Sequence, residues 1–262
     1  MKYNIYQVDA FTNQIFTGNP ACVIPLEKWL SDSILLKIAQ ENAVAETAFF
    51  IINSGDDIKL RWFTPDQEID LCGHATLATA YVLKLIFKHP VNEIVFDTMS
   101  GILKVNYVDN VYYLDFPARK AKSALLPKEI EKSLNIQPKE VFKSRDYMLV
   151  YESQQEIDDF QINRHFFDQI NLGHGGVIVT AKGNSTDFVS RYFTPQATIL
   201  EDAVTGSAHC TLIPFWSSRL HKNKLEAFQI SNRGGRLLCL DMVDRVIIGG
   251  EAKLFSKGEF II

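Results

Sequence analysis

Short stretches in which polar and apolar residues alternate dominate the chain. Residues 57–63, Asp-Ile-Lys-Leu-Arg-Trp-Phe, are an example, and a period of two is typical of a half-buried strand. Turn-forming residues such as Ser54-Gly55-Asp56 and Arg233-Gly234-Gly235 separate neighbouring runs and predict hairpins. Strands are therefore predicted near residues 3–10, 47–52, 57–63, 92–98, 101–107, 111–116, 147–151, 175–181, 187–193, 227–231, 236–242 and 245–250.

Three segments have helical patterns instead. Ser31 can cap a helix whose apolar residues recur at helical spacing over 34–39. The segment 74–87 is apolar on all sides, so a helix formed there must be surrounded by protein. A similar segment follows Gly206, where Pro214 is expected to kink or end the helix.

The chain also contains an internal repeat. Arg61-Trp62-Phe63-Thr64-Pro65 recurs as Arg191-Tyr192-Phe193-Thr194-Pro195, and each copy precedes a glycine that opens an apolar segment. This shared organisation predicts a duplicated α+β unit. We expect two pseudo-symmetric halves, each a curled, mostly antiparallel sheet or barrel around a central apolar helix.

The polar and basic segment 117–123 has no periodicity and is the predicted boundary between the halves. The N-terminal half then covers residues 1–118 and the C-terminal half residues 119–257. The apolar end of the chain, 258–262, is expected to pair back onto the first half.

Composition and charge exclude several classes of protein. The 262 residues carry 27 Lys and Arg against 31 Asp and Glu, a net charge of −4, so no long-range attraction to nucleic acid or an anionic membrane is expected. No apolar run approaches the roughly 18–20 residues of a membrane span. Because Asp9 comes too early for a signal peptide, the four cysteines are expected to be reduced thiols in a cytoplasmic protein.

The two glycine-opened helices suggest a ligand site. The first N–H groups of a helix lack partners and carry partial positive charge. If the halves pack with pseudo-twofold symmetry, the starts at Gly73 and Gly206 face one cleft and can hold a small carboxylate without a lysine or arginine. The competing interpretation is that both starts are ordinary structural caps.

Residues of catalytic type lie beside these starts. His74 opens one helix and Asp202 precedes the other, although a lone histidine or aspartate there is more often a cap. Glu46 stands in an apolar stretch, where a buried carboxylate can act as a general acid/base, or it is a turn residue that faces solvent. Residue 176, its equivalent at the repeat offset, is a glycine, so only one half supplies this carboxylate.

Four ordered motifs extend over nearly the whole chain and resemble the phenazine-biosynthesis PhzF-like isomerases, which share the diaminopimelate epimerase fold. The motifs are Val8-Asp9-Ala10-Phe11 with Thr17-Gly18-Asn19-Pro20-Ala21, Ala45-Glu46-Thr47-Ala48-Phe49, Phe63-Thr64-Pro65 with Asp70-Leu71-Cys72-Gly73-His74-Ala75-Thr76, and Glu201-Asp202-Ala203-Val204-Thr205-Gly206-Ser207-Ala208.

The resemblance implies a cofactor-independent isomerase that moves a proton within a small cyclic or unsaturated carboxylate. It also implies a homodimer. By this resemblance Glu46 is the single general acid/base, assisted by His74, Asp202 and Ser207. The substrate-binding residues that it implies are Asn19, Gly73, Ala75, Thr205 and Gly206.

Three alternatives remain. A two-base racemase or epimerase needs a thiolate on each face of the stereocentre, but Thr205 stands where the partner of Cys72 would be. Zinc bound by Cys72, His74, His209 and Cys210 has suitable ligand types but poor chelating spacing, so no metal is expected. A non-catalytic ligand-binding protein on the same fold is the third alternative.

Overall fold

The computed structural model describes residues 1–53 and 57–262, so the turn predicted at 54–56 lies outside the described residues. The chain divides into two compact units, residues 1–116 with 247–262 and residues 117–246. The first boundary lies near the predicted one. The segment that returns to the first unit is longer than the predicted 258–262, because a ten-residue strand, Ala252–Ile261, pairs along the N-terminal strand.

The first unit is built mainly from strands. In chain order its elements are β1 (Lys2–Ala10), β2 (Asn19–Pro25), α1 (Asp32–Asn42), β3 (Glu46–Ile52), β4 (Ile58–Phe63), β5 (Glu68–Ile69), α2 (Gly73–Tyr81) with a π-helical turn (Val82–Ile86), β6 (Glu93–Thr98), β7 (Gly101–Val108) and β8 (Val111–Pro117). The second unit contributes β9 (Lys122–Ser123), α3 (Lys128–Ser133), β10 (Glu140–Lys143), β11 (Tyr147–Val150), α4 (Gln154–Asp158), α5 (Arg164–Phe167), β12 (Val177–Lys182), β13 (Phe188–Phe193), β14 (Glu201–Asp202), α6 (Gly206–Leu220), β15 (Lys224–Gln229) and β16 (Gly235–Asp241). The chain returns to the first unit through β17 (Arg245–Gly250) and β18 (Ala252–Ile261).

Strand pairing confirms the duplicated α+β architecture. In the first unit β2 is antiparallel to β1 and parallel to β3, β3 is antiparallel to β4, and β4 is parallel to β6. In the second unit β11 is antiparallel to β10 and parallel to β12, β12 is antiparallel to β13, and β13 is parallel to β15. Thr47 pairs with Phe63, and Val177 pairs with Phe193. This shared register makes Gly176 the equivalent of Glu46.

The long helix of each unit is embedded in protein, as the lack of a polar face predicts. Every residue of α2 from Gly73 to Ala80 is buried, and the helix packs against β1, β2, β3 and β18. By contrast, α1 buries only Leu35, Ile38 and Ala39. Among residues 1–53 and 57–262, no helix has both the length and the apolar character to cross a bilayer.

The sequence predicts that Pro214 either kinks helix α6 or ends it. The second of these predictions is wrong. The helix continues to Leu220. Proline cannot donate to the carbonyl four residues before it, which here belongs to Cys210. The backbone N–H of Arg119 donates to the Cys210 oxygen at 2.8 Å instead. A contact from a distant part of the chain thus satisfies the group that the proline leaves free.

Candidate active site

Three elements of the first unit bring polar side chains to the start of α2. Asn19 is the first residue of β2 and Glu46 the first residue of β3. The two strands run parallel, and Ala21 pairs with Glu46. Cys72 is the N-cap of α2 and His74 its second residue. Since α2 packs on both strands, these side chains converge.

Glu46 and His74 form the centre of this group. The Oε2 atom of Glu46 lies 2.9 Å from Nε2 of His74, an ion-pair distance, although the angles of this contact fall outside hydrogen-bond geometry. The glutamate side chain is 14% exposed and the histidine side chain 3% exposed. Glu46 is therefore not a turn residue that faces solvent, but a largely shielded carboxylate in contact with an imidazole.

The opposite edge of the imidazole contacts Asn19 and Cys72. The Nδ1 atom of His74 lies 3.0 Å from Nδ2 of Asn19 and 3.5 Å from Sγ of Cys72. Gly18, which directly precedes Asn19, lets this segment lie close to the backbone of Ala10. Its φ is +69°, and a Cβ there would lie 2.3 Å from the Ala10 oxygen, so no other residue fits without displacing backbone. The histidine ring is thus held from both edges.

These contacts have electrostatic consequences. Burial alone would lower the pKa of His74, but the hydrogen bond with the Cys72 sulfur and the charge and hydrogen bond of Glu46 outweigh it and hold that pKa well above 6.5. Burial raises the pKa of Cys72 to about 11, so its thiol is protonated near neutral pH. The raised pKa of His74 favours an imidazolium, whose Nε2 faces the Glu46 carboxylate and whose Nδ1 faces the Cys72 sulfur, a weak acceptor.

The geometry argues against a metal centre here. The ligand atoms of Glu46, Cys72 and His74 lie within 4.8 Å of one another. However, the carboxylate lies at Nε2 of the ring and the thiol at Nδ1. An imidazole presents one nitrogen to one ion, so a metal held by all three side chains would require one of them to reorient. Of the other two zinc candidates, His209 uses Nδ1 on the Thr205 carbonyl, and Cys210 is fully buried.

In the second unit, hydrogen bonds fix the approach to α6. Asp202 ends β14, and its Oδ2 accepts a hydrogen bond of 2.6 Å from the Thr205 hydroxyl. Thr205 is the N-cap of α6, and its N–H donates to Oε1 of Gln229 at 2.8 Å. Gln229 is fully buried and donates to the Asp202 carbonyl at 2.7 Å. Gln229 therefore fixes the loop that carries two of the predicted site residues.

Gly206 and Ser207 are the first two residues of α6, and both are buried. No acidic residue lies in the first turn, and no side chain caps the helix. Ser207 occupies the position that His74 has in α2. Its Oγ accepts a hydrogen bond of 2.9 Å from Nη2 of Arg145, an arginine that the sequence did not single out.

The structure places all nine predicted site residues at the starts of the two long helices. In the first unit Asn19, Glu46 and His74 are in contact, and Gly73 and Ala75 flank the histidine. In the second unit Asp202, Thr205, Gly206 and Ser207 lie in one continuous segment. Sequence reasoning missed Gln229 and Arg145, for which no motif or periodicity gives a signal.

These features define an α+β protein with a carboxylate–imidazole pair at the start of one buried helix. Comparison with known proteins gives the family. The family model "Phenazine biosynthesis-like protein" matches residues 8–258. An uncharacterized isomerase of Pseudomonas aeruginosa is 44% identical over 98% of each chain. The chain belongs to this PhzF-like isomerase family, as its motifs predict.

Solved structures agree in fold. A PhzF-family protein of Enterococcus faecalis has a TM-score of 0.93 and 45% identity over the full length of both chains. A hydroxyproline epimerase of Agrobacterium vitis, at 10% identity, has a TM-score of 0.63 and covers 98% of this chain and 92% of its own. That second likeness concerns the fold alone and confirms the predicted epimerase-like architecture.

Proposed function

We propose that this protein is an isomerase that moves a proton between two carbon positions of a small cyclic or unsaturated carboxylate. In this proposal the Glu46 carboxylate removes the proton from a carbon next to, or in conjugation with, the substrate carboxyl group. The same group returns the proton at a second carbon. Atoms and charge balance over the cycle, and the reaction needs no redox partner.

The observation that carries the proposal is the 2.9 Å contact between Glu46 and His74, two side chains largely shielded from water. A carbon acid of this type develops negative charge as the proton leaves, and pre-oriented donors stabilise that charge. The raised pKa of His74 keeps a positive charge beside the carboxylate. His74 therefore places a positive charge 2.9 Å from the Glu46 carboxylate.

A racemase that uses two thiols is supported less well. Cys72 and Thr205 are the N-caps of the two equivalent helices, so they occupy the positions of such a pair. The Cys72 thiol has a pKa of about 11 because it is buried, and a threonine hydroxyl does not ionise near neutral pH. Neither position supplies a base of the required strength.

The proposal is tested by solvent exchange. A panel of unsaturated cyclic carboxylates, including a dihydro-hydroxyanthranilate, is incubated with the protein in D₂O, and deuterium incorporation at carbon is followed by NMR. For any compound that exchanges, Glu46→Gln should lower the rate by about a thousandfold or more, because it removes the base and keeps the side-chain shape.

Glu41→Gln is the matched control, since Glu41 is an exposed glutamate near the end of α1 and the substitution makes the same change of charge. This variant should exchange at the wild-type rate. Undiminished exchange in Glu46→Gln would contradict the assignment. Tight binding of panel compounds without exchange of any of them would favour the non-catalytic alternative.

The small carboxylate as substrate is part of the same proposal. The homodimer stays a prediction from the family resemblance, and light scattering coupled to size-exclusion chromatography measures it directly.

A further inference from the structure

The side-chain amide of Asn19 lies at the edge of the His74 ring that faces away from Glu46. Its Nδ2 atom is 3.0 Å from Nδ1 of His74, and both residues are buried, with exposed fractions of 0% and 2%. The Glu46 carboxylate lies at the other ring nitrogen, Nε2. The amide therefore acts on the imidazole from the side that the carboxylate does not reach.

Strand pairing fixes Asn19 in this place. Ala10 pairs with Asn19, and Ala21 pairs with Glu46. Side chains two residues apart on a strand point to the same face, so Asn19 and Ala21 share one face of β2. Asn19 and Glu46 therefore project from the same face of two neighbouring parallel strands, where both meet His74.

The contact constrains the proton on Nδ1 of His74. An amide nitrogen can only donate a hydrogen bond, and an amide oxygen can only accept one. With Nδ2 of Asn19 against the ring, Nδ1 must be an unprotonated acceptor, and the proton of the neutral imidazole is on Nε2. When the ring is an imidazolium, Nδ1 carries a proton as well, and Nδ2 would then oppose it donor to donor.

A half-turn of the amide removes this conflict. Rotation about the last side-chain bond exchanges Nδ2 and Oδ1, which occupy nearly equivalent positions, so the oxygen then accepts from the Nδ1 proton. The Cys72 sulfur, 3.5 Å from Nδ1, is a weak acceptor. The Asn19 oxygen is thus a stronger acceptor for an imidazolium than the thiol.

Two titratable groups face this ring, Glu46 from β3 and Cys72 from the N-cap of α2, and both act on the His74 pKa. Helix α2 also packs against β1, β2 and β18. The titratable residues of those strands that lie near Ala10 or Asn19 alternate to the opposite face; they are Asp9, Cys22 and Lys253. The others lie at least four residues along β1 or its partner strand from Ala10; they are Lys2, Tyr3, Tyr6, Lys257 and Glu259.

We propose that Asn19 is a positioning residue whose amide rotates with the charge of His74, presenting Oδ1 to the imidazolium and Nδ2 to the neutral ring. In both states a proton stays on Nε2 of the histidine, on the side of Glu46. The inference rests on the proposed function, because it assigns Asn19 to the same proton transfer. It differs from the substrate contact that the family resemblance implies for this residue.

The first measurement uses the full chain without substrate. NMR spectra of protein with ¹⁵N-labelled histidine and asparagine follow both ring nitrogens of His74, whose signals are assigned by their loss in His74→Gln. The side-chain amide signals of Asn19 should shift with the midpoint of the His74 titration, because the amide changes its partner there. Amide signals that stay constant through that titration would overturn the proposal.

Substitutions of Asn19 distinguish a rotating amide from one that only donates. Asn19→Leu has a similar shape and no hydrogen bond, so the imidazolium loses its acceptor and the His74 pKa should fall by about one unit. If the amide only donated, the same substitution would raise that pKa, because the neutral ring would lose its partner. A rise or no change would therefore overturn the proposal.

Asn19→Asp provides the opposite change, since a carboxylate supplies only acceptors, and it should raise the His74 pKa by about one unit. Should Asn19→Leu fail to fold, Asn19→Val, with a smaller apolar side chain, carries the same expectation. Asn92→Leu and Asn92→Asp are the matched controls, at an exposed asparagine directly before β6, and should leave the His74 pKa unchanged.

The two proposals fail separately. The NMR titration reads the ring directly, so it decides the role of Asn19 whether or not Glu46→Gln abolishes exchange. For a compound that exchanges, Asn19→Leu should move the pH profile of the rate with the His74 pKa and should change kcat more than KM. A rise in KM alone, with an unmoved pH profile, would assign Asn19 to substrate binding and overturn the positioning role.

Discussion

The starts of α2 and α6 have the same backbone arrangement and opposite chemistry. Each follows a short strand, opens with a glycine and lacks a side-chain cap. At α2 an imidazole contacts a carboxylate. At α6 a serine contacts a guanidinium. The two units thus share one backbone arrangement and differ in the side chains that they place at these helix starts.

The difference originates at one strand position. Glu46 begins β3 and projects its carboxylate to His74, whereas Gly176 has no side chain and leaves room for Tyr192. With the carboxylate absent, a buried aspartate hydrogen-bonded to Tyr192 orients an arginine there. The residue at this strand position therefore decides whether a carboxylate or a tyrosine ring occupies the space beside it.

The largest effect on stability is expected at Gly176. Gly176→Ala places a Cβ about where the Tyr192 ring and the Phe193 carbonyl lie, and the tyrosine is held by Asp146. We expect a loss of about 3 kcal/mol in the free energy of unfolding, measured in urea. Glu46→Ala is the equivalent change in the first unit and should cost less, since it forces no atom to move. Equal losses would show that the two positions are not constrained differently.

His209 should destabilise the fold at acidic pH. Burial lowers its pKa to about 4. Between pH 6.5 and 4, His209 is therefore protonated in the unfolded chain but remains neutral in the folded protein. Relative to His209→Gln, the wild type should lose stability as pH falls through this range, by on the order of 3 kcal/mol. A constant difference across these pH values would contradict the buried neutral histidine.

His74 should show the opposite sign. Its pKa is raised above 6.5 in the folded state, so its stabilising contribution is complete below that value and is lost as pH rises through the folded pKa. Urea unfolding of the wild type and His74→Gln over about pH 5–9 measures this. A wild-type advantage that grows with pH would be inconsistent with an imidazolium beside Glu46.

The smallest effect is expected at Cys72. Because its thiol is buried and has a pKa of about 11, Cys72→Ala should lower exchange activity by less than about tenfold. Iodoacetamide should likewise react slowly and inactivate little. If Cys72→Ala or alkylation lowered activity as much as Glu46→Gln does, the result would favour a thiol-dependent racemase instead.

Much of the fold could be predicted because its signals are local. Alternation located most strands, the repeated Phe-Thr-Pro segment revealed the duplication, and the absence of a polar face marked the buried helices. The strand Asn19–Pro25 escaped prediction because its apolar run lacks alternation and contains two prolines. Continuation of α6 through Pro214 depends on the Arg119 backbone, which is distant in sequence and invisible to any local pattern.

The candidate site was predictable in its residue types and not in its contacts. Motifs named Glu46 and His74, but only the parallel pairing of β2 and β3 and the packing of α2 bring them within 2.9 Å. Arg145 carried no signal, because it lies in an ordinary polar stretch far from Ser207 in sequence. Its orientation depends on the buried Asp146, whose own partners come from two other segments.

The central claim is that one carboxylate, present in only one of the two units, carries the proton both ways. The direct measurement uses a substrate deuterated at the carbon that loses its proton and follows the label during turnover in H₂O. Part of the deuterium should reappear at the second carbon, and this transfer should vanish in Glu46→Gln. Complete loss of the label to solvent, in a reaction that proceeds unchanged in Glu46→Gln, would contradict the claim.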